Sequence, residues 1–295
     1  MKKVLVVGAT GLTGSAIARG LLRNHAEVSA LVRDPSATNA KELQTAGASL
    51  LPGDLTRPET LSAACAGHDV VVCTATSMPT GANDGLRKVD LEGALALIDA
   101  AERAAVRRFV YISFSANIRY ESPLGTAKRA CEQRLLDSAM AVEILRPCYF
   151  MEVWLGPHLG VDIAGGKARV YGTGTAKGNY VSLRDVAAFA VAAAVREDPG
   201  KHIVEIGGPD ALSQLDAIAQ LEQLASKTVA REHLPREAIE AQYRAASDPL
   251  QKTFAALMLA YADGDPIPDA VANAKTYGVR LTPLREAMGS AGATA

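Results

Sequence analysis

Short runs of valine, leucine and isoleucine recur along the first half of the chain, at Val4–Val7, Val28–Val32, Ser49–Leu51, Val70–Cys73, Phe109–Ser113 and Val142–Leu145. Successive residues in each run are apolar, so both faces of these strands must be covered, which is the mark of a parallel sheet between helices. Between the runs the period changes. Leu91, Leu95, Ile98 and Ala101 return at intervals of three or four, which predicts a helix packed on the sheet. This alternation predicts an α/β fold built on a doubly wound parallel sheet of the Rossmann kind. After Pro147 the pattern is broken by Gly156, Gly165, Gly166, Gly172 and Gly174, and it resumes at Tyr180–Val195 and His202–Ile206. From Pro209 onward the segments read as helical, with a loop at Asp263–Pro268. The expected organisation is therefore a sheet domain of residues 1–152 and 168–208, a smaller and mostly helical C-terminal domain of residues 153–167 and 209–288, and a frayed tail at 289–295.

Composition narrows the function classes. The 295 residues are 48% hydrophobic and 21% charged with a formal net charge of −1, so there is no basic excess to draw the chain onto nucleic acid or anionic lipid. Lys2 and Lys3 precede an apolar run, but Gly8 ends it well short of the ~7 to 15 residues of a signal-peptide core, and no stretch is long and apolar enough to cross a bilayer. Cys65, Cys73, Cys131 and Cys148 lie far apart without a C-x-x-C pair, so no metal site is expected and reduced thiols in a cytoplasmic protein are the simplest reading.

The glycines at the first strand–helix junction carry the first chemical signal. In Gly8-Ala9-Thr10-Gly11-Leu12-Thr13-Gly14 the strand Val4–Val7 precedes the turn and a helical pattern from Ser15 to Leu22 follows it. At this spacing Gly8 permits the tight turn, Gly11 lets a diphosphate approach the backbone, and Gly14 lets the helix lie close to the strand. The helix N-terminus offers free N–H groups and a partial positive charge. The pattern predicts dinucleotide binding, the alternative being a glycine-rich connector without a ligand. Where an acid at the end of the second strand would select NAD, this chain has Arg33. A guanidinium suits a 2′-phosphate, which favours NADP with NAD still possible; the alternative is a surface arginine paired with the adjacent Asp34.

Taken together, these residues resemble the NmrA-like group of atypical short-chain dehydrogenase/reductases, which includes NAD(P)H-dependent quinone reductases and a triphenylmethane-dye reductase. The resemblance covers nearly the whole chain. It runs through GATGLTG at 8–14, LVRDP at 31–35, GDL at 53–55, HDVVVCTATS at 68–77, RFVYIS at 108–113, LRPCYFME at 145–152, YVSLRDVA at 180–187, GGPDALS at 207–213 and LTPLREAM at 281–288. It implies that Gly8, Thr10, Gly11, Leu12, Thr13, Gly14 and Arg33 hold the cofactor's phosphates. It likewise implies Asp54 and Leu55 near adenine, Thr74, Ala75 and Thr76 at the nicotinamide-side ribose, and Pro147, Cys148 and Tyr149 beside the nicotinamide. Each has a plainer alternative: Asp54 closing a turn, Thr74 and Thr76 finishing a strand, Pro147 stopping one.

One departure bears on the reaction. Typical members of the wider superfamily place a serine after the fifth strand and a Y-x-x-x-K pair on the next helix. Ser113 and Lys128 match, but Leu124 stands where the proton-donating tyrosine belongs. Lys128 is read as cofactor-facing, with an exposed helical ion pair to Glu132 as the alternative. Ser113 is either catalytic or a plain strand-end hydroxyl. Tyr149, Phe150, Met151 and Trp154 form either an apolar wall for a flat ring or packing between domains. The reading expected from these residues is hydride transfer from NADPH to a quinone-like or dye-like small molecule, by a monomer or homodimer. The alternatives are an NmrA-type regulator that senses the cofactor without turnover, and a biosynthetic isomerase or dehydratase on the same fold.

Overall fold

The computed structural model of the chain describes residues 1–78 and 84–291. The six apolar runs are strands β1 (Lys3–Val7), β2 (Glu27–Val32), β3 (Ser49–Pro52), β4 (Val70–Cys73), β5 (Arg108–Ile112) and β6 (Ala141–Pro147). With the strand Lys201–Ile206 they form a seven-stranded sheet in the order Lys201–Ile206, β6, β5, β4, β1, β2, β3. Pairings from β3 through β6 are parallel. The chain winds outward from β1 to β3, then crosses back to β4 and winds the other way, so the order reverses between β1 and β4. Their register runs from Val4 opposite Val70 to Val7 opposite Cys73, and the two strands end side by side.

Helices α1 (Leu12–Arg23), α2 (Thr38–Thr45), α3 (Leu61–Cys65), α4 (Ala94–Arg103) and α5 (Pro123–Leu136) cover this sheet. On one face Leu5, Val7, Val71, Phe109, Tyr111, Val142 and Ile144 pack with Leu97, Ile98, Ala101 and Leu135. Elsewhere α1 meets the helix Leu183–Val195 so closely that a Cβ on Gly20 would lie 2.8 Å from Val191 Cγ2. The stretch expected as one regular helix around Leu91 is instead a π-helical segment, Leu86–Gly93, running into α4. Periodicity does not separate the two forms, because a π turn shifts the apolar face by a single residue.

Contacts divide the chain into two units. The first holds residues 1–113, 123–145 and 187–204; the second holds 114–122, 146–186 and 205 onward. Residues 114–122, 146–152, 168–186 and 205–208, which the sequence pattern suggested would stay with the sheet domain, group with the second unit. That unit contains helices Gln214–Ala225, Arg236–Ala245, Pro249–Asp263, Ala270–Thr276 and Leu284–Ala291. It also holds a three-stranded sheet of Val161–Asp162, Lys167–Tyr171 and Ala230–Leu234. The last of these strands is mostly exposed and polar, which is why no apolar run announces it. Its core gathers Tyr149, Met151, Tyr171, Tyr180, Ile218, Ile239, Leu259, Tyr261 and Leu284. Residues 289–291, expected as part of the frayed tail, continue the final helix; 292–295 lie outside the described residues.

Beneath β5 and β6 lies a buried ion pair. Arg108 Nη1 stands 3.2 Å from Oε1 of fully buried Glu143, whose same oxygen is 3.6 Å from Arg196 Nε. Arg108 also donates to the Asp198 carbonyl. Removing one member leaves a buried charge poorly compensated, so Arg108→Ala is expected to lower unfolding free energy by about 3 to 5 kcal/mol, whereas a double replacement by Arg108→Met and Glu143→Leu loses far less. Urea denaturation of the two variants checks this; equal losses would contradict it.

Candidate functional site

The turn after β1 explains two of its three glycines from within the chain. Gly8 has φ +85°, and a Cβ there would lie 2.8 Å from the Ala75 amide nitrogen. A side chain at Gly8 would therefore both strain the backbone and wedge apart the loops that leave β1 and β4. A Cβ on Gly14 would sit 2.1 Å from the Gly8 carbonyl oxygen. Gly11 differs. A Cβ there would meet only Gly8 O, at 3.4 Å, in an exposed position, so the chain's own packing makes no demand for glycine. Gly11 is also the N-cap of α1, supplies no side-chain cap, and is followed by a first turn without acidic residues. The helix thus presents its leading N–H groups and the positive end of its dipole, with clearance in front of them. Leu12 follows at 76% exposure. Thr13 is half-buried, and the Thr10 carbonyl accepts a hydrogen bond from Asn39 Nδ2 at 3.0 Å. This arrangement at the reversal point of the sheet fits a diphosphate.

Arg33, the residue after β2, is exposed, and no hydrogen bond or ion pair engages it among the described residues. Asp34 is not its partner: the Asp34 carboxylate accepts from the Ser36 amide at 2.8 Å and from Ser36 Oγ at 2.6 Å, and these bonds hold its pKa below the ordinary carboxylate value. The guanidinium is left available. After β3, Asp54 closes a turn, accepting from the Thr56 amide at 2.8 Å through Oδ1, while Leu55 is buried in the sheet core.

Thr74, Ala75 and Thr76 follow β4 and are half-buried; Thr76 Oγ1 accepts from the Met78 amide at 3.3 Å. On α5 both Leu124 and Lys128 are buried. Lys128 does not pair with Glu132, which is taken by Arg129 Nη1 at 2.5 Å. Its Nζ donates instead to the Ile112 carbonyl at 3.0 Å, at the carboxyl end of β5, and lies 4.8 Å from the centre of the Tyr111 ring. Ser113 is buried beside it; its amide donates to Leu145 O at 2.8 Å, and its Oγ is 3.5 Å from Arg129 Nη1. Burial pushes the Cys73 thiol up to about 11, which leaves it a poor nucleophile. Among the described residues no cluster of His, Cys, Asp or Glu suits a metal ion.

In the second unit Pro147 ends β6, and Cys148 and Tyr149 follow it directly. Cys148 is buried, and its thiol donates to the Asn179 carbonyl. Tyr149 packs edge-on against Trp154 at 4.6 Å and Tyr261 at 4.8 Å, with Tyr171 and Tyr180 around Tyr261. Tyr180 and Tyr261 share a hydrogen bond of 2.6 Å between their hydroxyls. Tyr120, the tyrosine nearest in sequence to α5, donates to Asp263 and accepts from Arg236 Nη2 at 2.7 Å. Burial first, and then Asp263, raise its pKa, so it is a weak acid held by two partners.

Besides Glu143, buried acids that the sequence pattern does not single out include Asp90 and Asp265. Asp265 accepts from Ser115 Oγ at 2.6 Å and Asn117 Nδ2 at 2.7 Å, and burial raises its pKa. Asp90, in the π-helical segment, binds Ser77. Neither stands out locally: Asp90 lies among the charged residues Arg87, Lys88 and Glu92, and Asp265 lies in a polar turn with Asp263 and Gly264. Among the described residues, no helix is long and apolar enough to cross a membrane.

Comparison with known proteins agrees with this geometry. Residues 8–197 match the model of a family described as NAD(P)H-binding. The NAD(P)H azoreductase of Xenophilus azovorans is 32% identical over 77% of this chain and 75% of its own. The photosystem II assembly factor Ycf39 of Cyanophora paradoxa is 30% identical over 79% of this chain and 71% of its own. In structure, the NADPH-dependent quinone oxidoreductase of Escherichia coli, complexed with NADPH, shares the fold with a TM-score of 0.80 at 20% identity, covering 98% of this chain and 99% of that one. The triphenylmethane reductase of Citrobacter sp., complexed with NADP(H), does so with a TM-score of 0.78 at 21% identity and the same coverage. With its glycine turn, its reversed sheet order and a matched segment spanning most of both, the chain belongs to the NAD(P)H-binding family of NmrA-like, atypical short-chain dehydrogenase/reductases.

Proposed function

We propose that the protein is a reductase that binds NADPH in preference to NADH and passes hydride to a flat, conjugated acceptor of the quinone or dye kind. The observation that carries the cofactor reading is Gly11: alone among the three glycines of the turn, it is unexplained by internal packing and stands before an uncapped helix N-terminus. Gly8 to Gly14 are assigned to the diphosphate, Arg33 to the 2′-phosphate, Asp54 and Leu55 to the adenine end, and Thr74 to Thr76 with Lys128 to the nicotinamide-side ribose. Pro147, Cys148 and Tyr149 are assigned to the nicotinamide end by their place at and just beyond the carboxyl end of β6. The nicotinamide, when bound, supplies the hydride.

The acceptor class follows from the acid that α5 lacks. Reduction of an unactivated ketone produces a basic alkoxide that needs a proton as hydride arrives. Hydride addition to a quinone leaves a phenolate with a conjugate acid of pKa about 10, which waits for water, and a cationic dye is simply neutralised. Leu124 gives no proton, and Tyr120 is occupied by Asp263 and Arg236. Holding the acceptor in line is then the main contribution of the protein. A likeness to a named azoreductase supports turnover. A likeness to named assembly factors supports the second reading, a cofactor-sensing binding protein.

Three outcomes follow. Gly11→Val is expected to keep the fold by circular dichroism and abolish NADPH binding by calorimetry, whereas Gly14→Ala, with its Cβ driven toward Gly8 O, lowers the melting temperature. Arg33→Ala is expected to weaken NADPH by roughly 1.5 to 3 kcal/mol and leave NADH nearly unchanged; equal weakening of both would remove Arg33 from the phosphate site. Wild-type protein is expected to oxidise NADPH with a quinone and not with an aliphatic ketone of similar size, and Tyr120→Phe to leave quinone turnover intact. NADPH binding without turnover on quinones, dyes or aldehydes would favour the sensing protein.

A further inference from the structure

The π-helical segment Leu86–Gly93 sits in the first unit where three parts of the assigned cofactor site meet it. Asp90 is 1% exposed, and one of its oxygens, Oδ2, accepts both the Ser77 amide at 2.9 Å and Ser77 Oγ at 2.6 Å. Two donors of one residue on one oxygen fix the orientation of that residue, and both bonds lie in a buried, low-dielectric setting where they are strong. Ser77 directly follows the segment Thr74–Thr76, whose Ala75 is the residue that Gly8 packs against. Three residues on, a Cβ at Gly93 would lie 2.5 Å from the Leu55 carbonyl oxygen, so the end of the π segment presses on the turn after β3. The Asp90 carbonyl accepts from the Cys131 thiol at 3.6 Å, one turn along α5 from Lys128. Asp90 lies within the π turns, which are rare and are frequently found at functional sites.

We propose that Asp90 is a positioning residue for the cofactor site: through its paired bonds to Ser77 it holds the Thr74–Thr76 segment in the conformation that receives the ribose and phosphate of the dinucleotide. The proposal rests on the cofactor assignment above. Asp90 touches no cofactor atom itself. Its Oδ1 has no partner among the described residues, so all its holding power lies in one oxygen, and an amide that presents one oxygen to Ser77 retains it.

The test uses full-length protein. Asp90→Ala is expected to raise the NADPH dissociation constant, read by fluorescence titration, by about tenfold or more. Asp90→Asn is expected to restore affinity to within about threefold of wild type. At saturating NADPH the Michaelis constant for a quinone is expected to stay unchanged in both variants. Equal weakening in the alanine and asparagine variants, or wild-type affinity in the alanine variant, would overturn the proposal. Where Asp90→Ala fails to fold, Ser77→Ala, which removes the Oγ bond to Asp90 and keeps the amide bond, takes its place; unchanged NADPH affinity there is again a refutation. Amide exchange in cofactor-free protein separates this idea from the one it rests on. Faster exchange at Ala75–Ser77 in Asp90→Ala, in a protein whose wild type binds no NADPH, would keep the strut and discard the cofactor assignment. Unchanged exchange would discard the strut.

Discussion

The structure of the first unit depends on one close approach, that of the turn after β1 to the loop after β4. The two strands end in register, and a side chain at Gly8 would strike the Ala75 backbone. Bringing two backbones this near is possible only without a Cβ, and the result is a pair of adjacent loops at the reversal point of the sheet. Gly14 repeats the constraint on the other side of the turn, bringing the start of α1 against the Gly8 carbonyl. The helix N-terminus is thereby aimed at the space in front of Gly11. Within the first unit, the loop Thr74–Thr76 is brought beside that turn.

The groups that hold these loops are polar and mostly buried. Lys128 is tied to the last carbonyl of β5, and Asp90 is tied to Ser77. Further from the site, Arg108, Glu143 and Arg196 place charge under the sheet. Such groups are expensive to bury, and each is kept by specific partners rather than by apolar packing. The sheet supplies the rigid frame, and the buried polar groups set the positions of the loops that leave it.

Much of this was legible in the sequence for physical reasons. Runs such as Val4–Val7 and Val70–Cys73 are apolar on both faces, which only a covered parallel sheet satisfies, and the glycine spacing located the turn. The lysine on α5 was legible, but its partner was not: whether Lys128 meets Glu132 or a strand carbonyl depends on Arg129, which competes for Glu132 from the next position. The π-helical segment was hidden because one extra residue in a turn leaves hydrophobic spacing nearly unchanged. The strand Ala230–Leu234 was hidden because an exposed edge needs no apolar pattern. Asp90 and Asp265 were hidden for a different reason: what they bond to lies far away along the chain or in loops without a periodic signature.

The aromatic cluster of the second unit has an optical consequence. Trp154 is the sole tryptophan of the chain, and it packs within 4.6 Å of Tyr149 and 4.5 Å of Tyr261. Excitation absorbed by these tyrosines passes to the indole over such distances, so emission from the whole protein reports on the second unit's core and is nearly blind to the Rossmann sheet. Circular dichroism, which weighs helices and strands of both units, does not share that bias. If the two units lose structure at different denaturant concentrations, the fluorescence and dichroism transitions will separate, and their coincidence is the test of whether the chain melts as one.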